Sequence, residues 1–247
     1  MAWRGLAALA LFVAAAQAAG AAPPKGYIYP EHGLHIEAWL PAAPADNSMA
    51  KAADVETYFS TRALIGTARA DEAHADDVAP SPAENVAPRF DYLLGIKLTR
   101  GNAPQLLHLM DGVRADALSM VEPVKKDVGA GGRHRPFVDY PQLPKCEVTY
   151  AALPQSGSYP SGHSIIGWLW GTILAELVPE HADEFIARGV AFGDSRVVCG
   201  FHYPSDVTAG RLAAAALLAR LHADAQFQRD LAAARKELNA LLAPARK

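Results

Sequence analysis

The 247-residue sequence holds only two cysteines, Cys146 and Cys199, too few to build a structural zinc site unaided. Past residue 18 it also lacks an apolar run long enough to cross a bilayer. The most apolar stretch, Ile165 to Val178, covers 14 residues and includes Glu176, whereas a spanning helix needs about 20. It reads as a buried core helix. An excess of either charge is missing: 23 Lys and Arg stand against 26 Asp and Glu, a formal net of −3. That balance gives no reason to expect nucleic acid or an anionic membrane as partner. Alternating strand patterns are scarce, and no internal repeat is visible.

The first 18 residues carry one charge, Arg4, then an apolar run from Gly5 to Ala15 and the small-residue end Ala16-Gln17-Ala18. This is the pattern of a cleaved export signal rather than a membrane anchor, and its removal leaves a net charge of −4. The remaining roughly 225 residues fit one domain. Residues 19–45, rich in Ala and Pro, read as an extended N-terminal arm, and residues 46–247 as a single helical domain. Asp46, Asn47 and Ser48 suit the start of a long helical stretch through about Ala75. Asp76 to Pro88 reads as a loop. Asn102 and Pro104 mark the start of a second helix, with Leu106, Met110, Val113, Ala117, Met120 and Val124 as its apolar stripe and Pro123 as a kink. Arg133 to Tyr159 is irregular. Helices are expected after Gly162, around His181 to Gly193, from Pro204 to Leu221 and from Ala225 to Leu242. The fold class is all-α. In an oxidising compartment a Cys146–Cys199 disulfide is favoured over two free thiols.

Two short segments carry chemistry. Ser158-Tyr159-Pro160-Ser161-Gly162-His163 precedes the apolar helix, and a Ser-Gly turn entering a helix aims backbone N–H groups and the positive end of the dipole at one spot, which favours an anion. Taken alone, such a turn is more often a plain cap. Ser195-Arg196 precedes His202 and Asp206. Four residues apart, Asp206 can face back to the imidazole and fix its tautomer, leaving the other ring nitrogen free as a nucleophile. Arg196 offers a planar donor fork for phosphate oxygens. An isolated His-x-x-x-Asp is commonly a surface pair. Upstream, Lys125-Lys126 and Arg135-Pro136-Phe137 could equally be a basic loop after a helix end.

Together these pieces, Lys126 and Arg135-Pro136, then Pro160-Ser161-Gly162-His163, then Ser195-Arg196, His202 and Asp206, resemble the three-part signature of the type 2 phosphatidic acid phosphatase and vanadium haloperoxidase superfamily. There are 23 residues between Pro136 and Pro160 and 31 between His163 and Ser195, within that family's range. The chain is most similar to class A bacterial non-specific acid phosphatases from about Ala38 to Leu238, densest over Gly157–His163, Ile166–Trp168, Ser195–His202 and Ser205–Val207. It departs from the pattern at one place: eight residues separate Lys126 from Arg135, more than the family has. Gly129, Gly131 and Gly132 look like a short looped-out insertion, and Lys125 is the alternative to Lys126.

The resemblance implies a single-domain helical bundle of the acid phosphatase/vanadium haloperoxidase type, with its site within residues 126–206. It implies hydrolysis of a small-molecule phosphomonoester, without cofactor or metal, in the periplasm or outside the cell. His202 would attack phosphorus, Asp206 would orient it, and His163 would protonate the leaving group and then activate water. Lys126, Arg135, Ser161, Gly162 and Arg196 would hold the phosphoryl oxygens. An acidic optimum follows, because His163 must start protonated and His202 neutral. Homo-oligomers are usual among such enzymes, although one chain reveals no interface. The rivals are a membrane lipid phosphatase, a vanadium haloperoxidase and a non-catalytic phosphate-binding module.

Overall fold

Ser48 starts the first helix as a side-chain cap: its hydroxyl accepts from the Lys51 backbone N–H at 3.1 Å, satisfying one of the donors that a helix start leaves free. The structure, a computed structural model, describes residues 25–28, 31–78, 82–126 and 128–243. The expected export signal lies outside them. Where one long helix was expected there are two, α1 (Met49–Thr61) and α2 (Ala68–Ala75), separated by a 3-10 turn. Gly66 stands between them at φ +87°, a left-handed conformation that a continuous helix cannot contain.

Helix α3 (Pro104–Val121) ends before Pro123 instead of kinking at it, because proline cannot continue the hydrogen-bond ladder. Asn102 does not cap it; the Asn102 side chain accepts from Thr99 N–H. Glu237 takes that role, accepting from the backbone N–H groups of Gln105 and Leu106 at 3.0 Å each. Helix α4 (Pro136–Asp139) is one short turn. Helices α5 (Gly162–Leu177), α6 (Ala182–Val198), α7 (Pro204–Leu221) and α8 (Ala225–Leu242) complete the chain. Among the described residues there is no β-strand, and no helix is long and apolar enough to cross a membrane. The fold is all-α, in one domain.

The core gathers the apolar stripe of α3 (Leu106, Met110, Val113, Ala117, Met120) against Ile165, Leu169, Ile173 and Leu177 of α5 and Leu231 and Leu238 of α8. Phe90 stacks on Trp170 with ring centroids 5.5 Å apart. Two close helix approaches set the site. Helix α6 lies against α5 through glycines: a Cβ on Gly171 would sit 2.6 Å from the Phe185 carbonyl oxygen. Helix α7 closes on the start of α5, where a Cβ on Gly210 would sit 2.6 Å from the Ser161 carbonyl oxygen. Removing Cβ at these points lets backbones touch, and brings the N-termini of α5 and α7 beside the C-terminus of α6. The Cys146–Cys199 disulfide is formed. It ties the irregular segment before α5 to the end of α6, next to a Cys146 N–H to Cys199 C=O bond of 3.2 Å.

Candidate active site

His202 is placed by a chain reversal at the end of α6. Gly200, at φ +82°, turns the chain so that Phe201 and His202 N–H both donate to the Arg196 carbonyl, at 2.9 and 3.2 Å, a glycine-dependent helix ending. The imidazole, 2 % exposed, lies between two partners. Its Nδ1 is 3.3 Å from Asp206 Oδ2, and its Nε2 is 2.9 Å from Arg135 Nη1. A guanidinium has no acceptor, so Nε2 must offer its lone pair and the proton sits on Nδ1, donated to Asp206. Burial, then Arg135, Lys125 and Arg196, hold the His202 pKa well below its usual value. The ring is therefore neutral at ordinary pH.

Asp206 is rigidly held. In the first turn of α7 its Oδ2 also accepts from Tyr203 N–H at 2.8 Å, capping the helix, and its Oδ1 accepts from Arg133 Nη1 at 2.6 Å. The other terminal nitrogen of Arg133 reaches Asp54 Oδ2 at 2.6 Å, and Asp54 Oδ1 in turn accepts from Ser205 N–H. Arg133 also lies over the Tyr203 ring, 4.3 Å from its centroid. An ordered chain thus runs Asp54, Arg133, Asp206, His202. Asp54 and Arg133 were not singled out in the sequence; Asp54 sits in an ordinary helical stretch, and Arg133 reads as one more base in a basic loop.

The cations converge on the same spot. Arg135, 2 % exposed, donates from Nε to the carbonyls of Leu153 and Ser156, and from Nη1 also to that of Phe201, each at 3.0 Å. Burial and Arg196 lower its pKa to about 9. Lys125 Nζ donates to the Pro160 carbonyl at 2.9 Å; burial, then Arg135 and Arg196, lower its pKa to about 7. Lys126 is exposed. The expected lysine therefore shifts by one position: the structure brings Lys125, not Lys126, into the cluster. The two side chains diverge, Lys125 toward the Pro160 carbonyl and Lys126 to solvent, while the Lys126 carbonyl packs on Gly157, whose Cβ would lie 2.1 Å from it.

Ser161 caps α5, accepting from Ser164 N–H at 3.3 Å, and its own N–H donates to the Asp206 carbonyl at 3.0 Å. That bond joins the starts of α5 and α7. Gly162 and His163 follow in the first turn of α5, where backbone N–H groups have no intrahelical acceptor. The His163 side chain is 22 % exposed and stacks near Phe192, centroids 6.2 Å apart. Its Nε2 meets the Val78 carbonyl at 3.1 Å. Burial and Arg196 push its pKa well down, His202 adds to this, and Asp77 opposes it. The charge of Arg196 acts on His163, His202, Arg135 and Lys125 alike. These groups share one site. Asp77, another residue the sequence left in a loop, accepts from Arg196 Nη1. Among the described residues no group of three or more His, Cys, Asp or Glu side chains is arranged to hold a metal ion.

A cluster of one lysine and two arginines, each with its proton affinity lowered by burial and, for Lys125 and Arg135, by neighbouring guanidinium charge as well, favours an anion with several oxygens. Beside it stand a neutral imidazole with a lone pair and a second, more open imidazole. The comparisons with known proteins agree with that chemistry. Residues 119–230 match the PAP2 superfamily. An acid phosphatase of Zymomonas mobilis subsp. mobilis is 39 % identical over 200 residues, covering 81 % of this chain and 74 % of that protein. Non-specific acid phosphatases of Providencia stuartii and Salmonella typhimurium are 34 % and 35 % identical, covering 87 % and 85 % of this chain and 85 % and 82 % of theirs. The chain belongs to the non-specific acid phosphatase family of the PAP2 superfamily.

Proposed function

We propose that the protein is an acid phosphatase that hydrolyses small phosphate monoesters through a phosphohistidine on His202, without a metal. The observation that carries this reading is the double constraint on His202: Nδ1–H on Asp206 and the Nε2 lone pair facing Arg135. The arginine covers the lone pair. A phosphoryl group, whose oxygens attract Arg135, Arg196 and Lys125, draws the guanidinium to itself and presents phosphorus to Nε2. Nε2 then forms the N–P bond as the ester oxygen leaves, and Asp206 stabilises the imidazolium. His163 gives its proton to the departing oxygen and then takes one from the water that cleaves the N–P bond.

Lys125 takes the role first expected of Lys126, and Ser161 and the Gly162 N–H complete the cradle. Three cations at one phosphate supply the charge neutralisation that phosphoryl transfer requires, which supports metal independence. The lowered proton affinity of His163 supports an acidic optimum: the general acid must be protonated, and this is easier as pH falls and when a phosphate dianion binds nearby. The leader pattern of residues 1–18 and the Cys146–Cys199 disulfide support export to the periplasm or beyond. The test is hydrolysis of a phosphomonoester panel by the purified protein in EDTA, at about pH 5 to 7. Activity on several esters, unaffected by the chelator, is expected; absence of hydrolysis, or dependence on added metal, would overturn the reading.

A further inference from the structure

Asp77 lies just past α2, more than 80 residues before His163 in the chain, yet it borders both His163 and Arg196. Its carboxylate, 9 % exposed, accepts from Arg196 through Oδ1 and from Thr149 Oγ1 through Oδ2 at 3.0 Å. The same Oδ1 is 3.9 Å from His163 Nε2, and the next residue's carbonyl, that of Val78, accepts from that nitrogen at 3.1 Å. Two consecutive residues thus engage the second imidazole and one of the phosphate-binding cations. Arg196 is 1 % exposed, and its Nε has no hydrogen-bond partner among the described residues. A buried donor of this kind is costly unless an acceptor arrives. With Nη1 held by Asp77, the rigid guanidinium plane is fixed and Nε is left over for a ligand oxygen.

Resting on the roles proposed above for His163 and Arg196, we propose that Asp77 and Val78 form a positioning strap for the acid–base half of the site. Asp77 fixes the Arg196 fork. The Val78 carbonyl keeps a proton on His163 Nε2, leaving Nδ1 as the ring atom that exchanges a proton with the leaving oxygen and then with water. The groups facing His163 are Asp77, Arg196 and His202; of these only Asp77 favours the protonated ring. Burial, the largest single influence, acts to raise the Asp77 pKa, but Arg196, His163 and Thr149 together outweigh it and keep the carboxylate below its usual range, so the strap is charged wherever an acid phosphatase works.

The test is Asp77→Asn, with Asp77→Glu as the conservative control, assayed on glycerol phosphate and p-nitrophenyl phosphate across pH. Asp77→Asn is expected to lower kcat/KM on glycerol phosphate about ten- to a hundredfold, the usual effect of losing an orienting partner. The loss on p-nitrophenyl phosphate, whose leaving group needs little acid help, is smaller. The alkaline limb of its pH profile moves to lower pH, because protonated His163 has lost its favouring charge, and Asp77→Glu recovers part of both effects. An unchanged leaving-group ratio with an unmoved limb would overturn the strap. So would tighter inhibition by orthophosphate at undiminished kcat, which would make Asp77 a competitor of substrate. If Asp77→Asn does not fold, Thr149→Val, which removes one bond to Asp77, must shift the ratio and limb in the same directions. A wild-type protein that hydrolyses neither ester sinks the catalytic reading itself, whereas an active wild type with an indifferent Asp77→Asn sinks only the strap.

Discussion

The two histidines of the site are held in opposite ways. His202 is placed by its own neighbourhood, a left-handed glycine two residues before it and a carboxylate four residues after it, and that carboxylate is braced by the Arg133–Asp54 pair from earlier in the chain. It is all but inaccessible. His163 is partly open, and its Nε2 partner comes from residue 78, which reaches it only through the packing of α2 on α6. A nucleophile must keep its lone pair in one place and be neutral, which burial serves. A group that exchanges protons with a leaving oxygen and then with water needs an opening and a tunable charge. The difference teaches that the kernel of the rigid half, His202 with Asp206, is written locally, whereas the Nε2 partner of His163 comes only from tertiary packing.

Substitutions should separate the halves, and the largest effect belongs to the rigid one. His202→Ala removes the proposed nucleophile and should lower kcat on every ester on the order of 10⁴-fold or more, read by steady-state hydrolysis. His163→Ala should cost about 10²- to 10⁴-fold on alkyl phosphates and clearly less on p-nitrophenyl phosphate; equal losses would remove His163 from the acid role. Arg133→Met should cost about ten- to a hundredfold with no dependence on the leaving group, because it acts through Asp206 on the attacking ring. Arg133→Lys, which keeps charge but loses the fork, should recover little.

The smallest and most diagnostic contrast concerns the lysines. Lys125 titrates near pH 7 in the free protein, and a bound phosphate would raise that value. Orthophosphate should therefore bind with proton uptake, and its inhibition should weaken as pH rises through about 7. Lys125→Met should bind orthophosphate more weakly at pH 6 and lose that part of the pH dependence. Lys126→Met should stay within about twofold of wild type on all counts, as exposed substitutions usually do. The reverse pattern would return the role to Lys126.

How much of this was legible follows the same divide. Helices α7 and α8 have the expected bounds, because Pro204 and Asp224 mark their starts and apolar residues recur at helical spacing. The His202–Asp206 pair was readable because four residues make one helical turn. Lys125 against Lys126 was not: Gly129, Gly131 and Gly132 obscure the register that motif spacing depends on. Asp77 and Asp54 carried no signal, since each meets its partner across a tertiary contact spanning more than a hundred residues, Asp77 with Arg196 and Asp54 with Ser205. The cap of α3 failed for the same reason. A local Asn102 was the natural candidate, and Glu237 from α8 took the position because the helices pack side by side.

His202, and not His163, is the residue proposed to attack phosphorus. Rapid quenching of the protein during turnover of a radiolabelled phosphomonoester, followed by peptide mapping under alkaline conditions that preserve phosphohistidine, tests it most directly. Label on the peptide carrying residue 202, absent from His202→Ala and still formed in His163→Ala with p-nitrophenyl phosphate, is the predicted result. Label on the peptide carrying residue 163, or turnover with no trapped phosphoenzyme at any quench time, would contradict it.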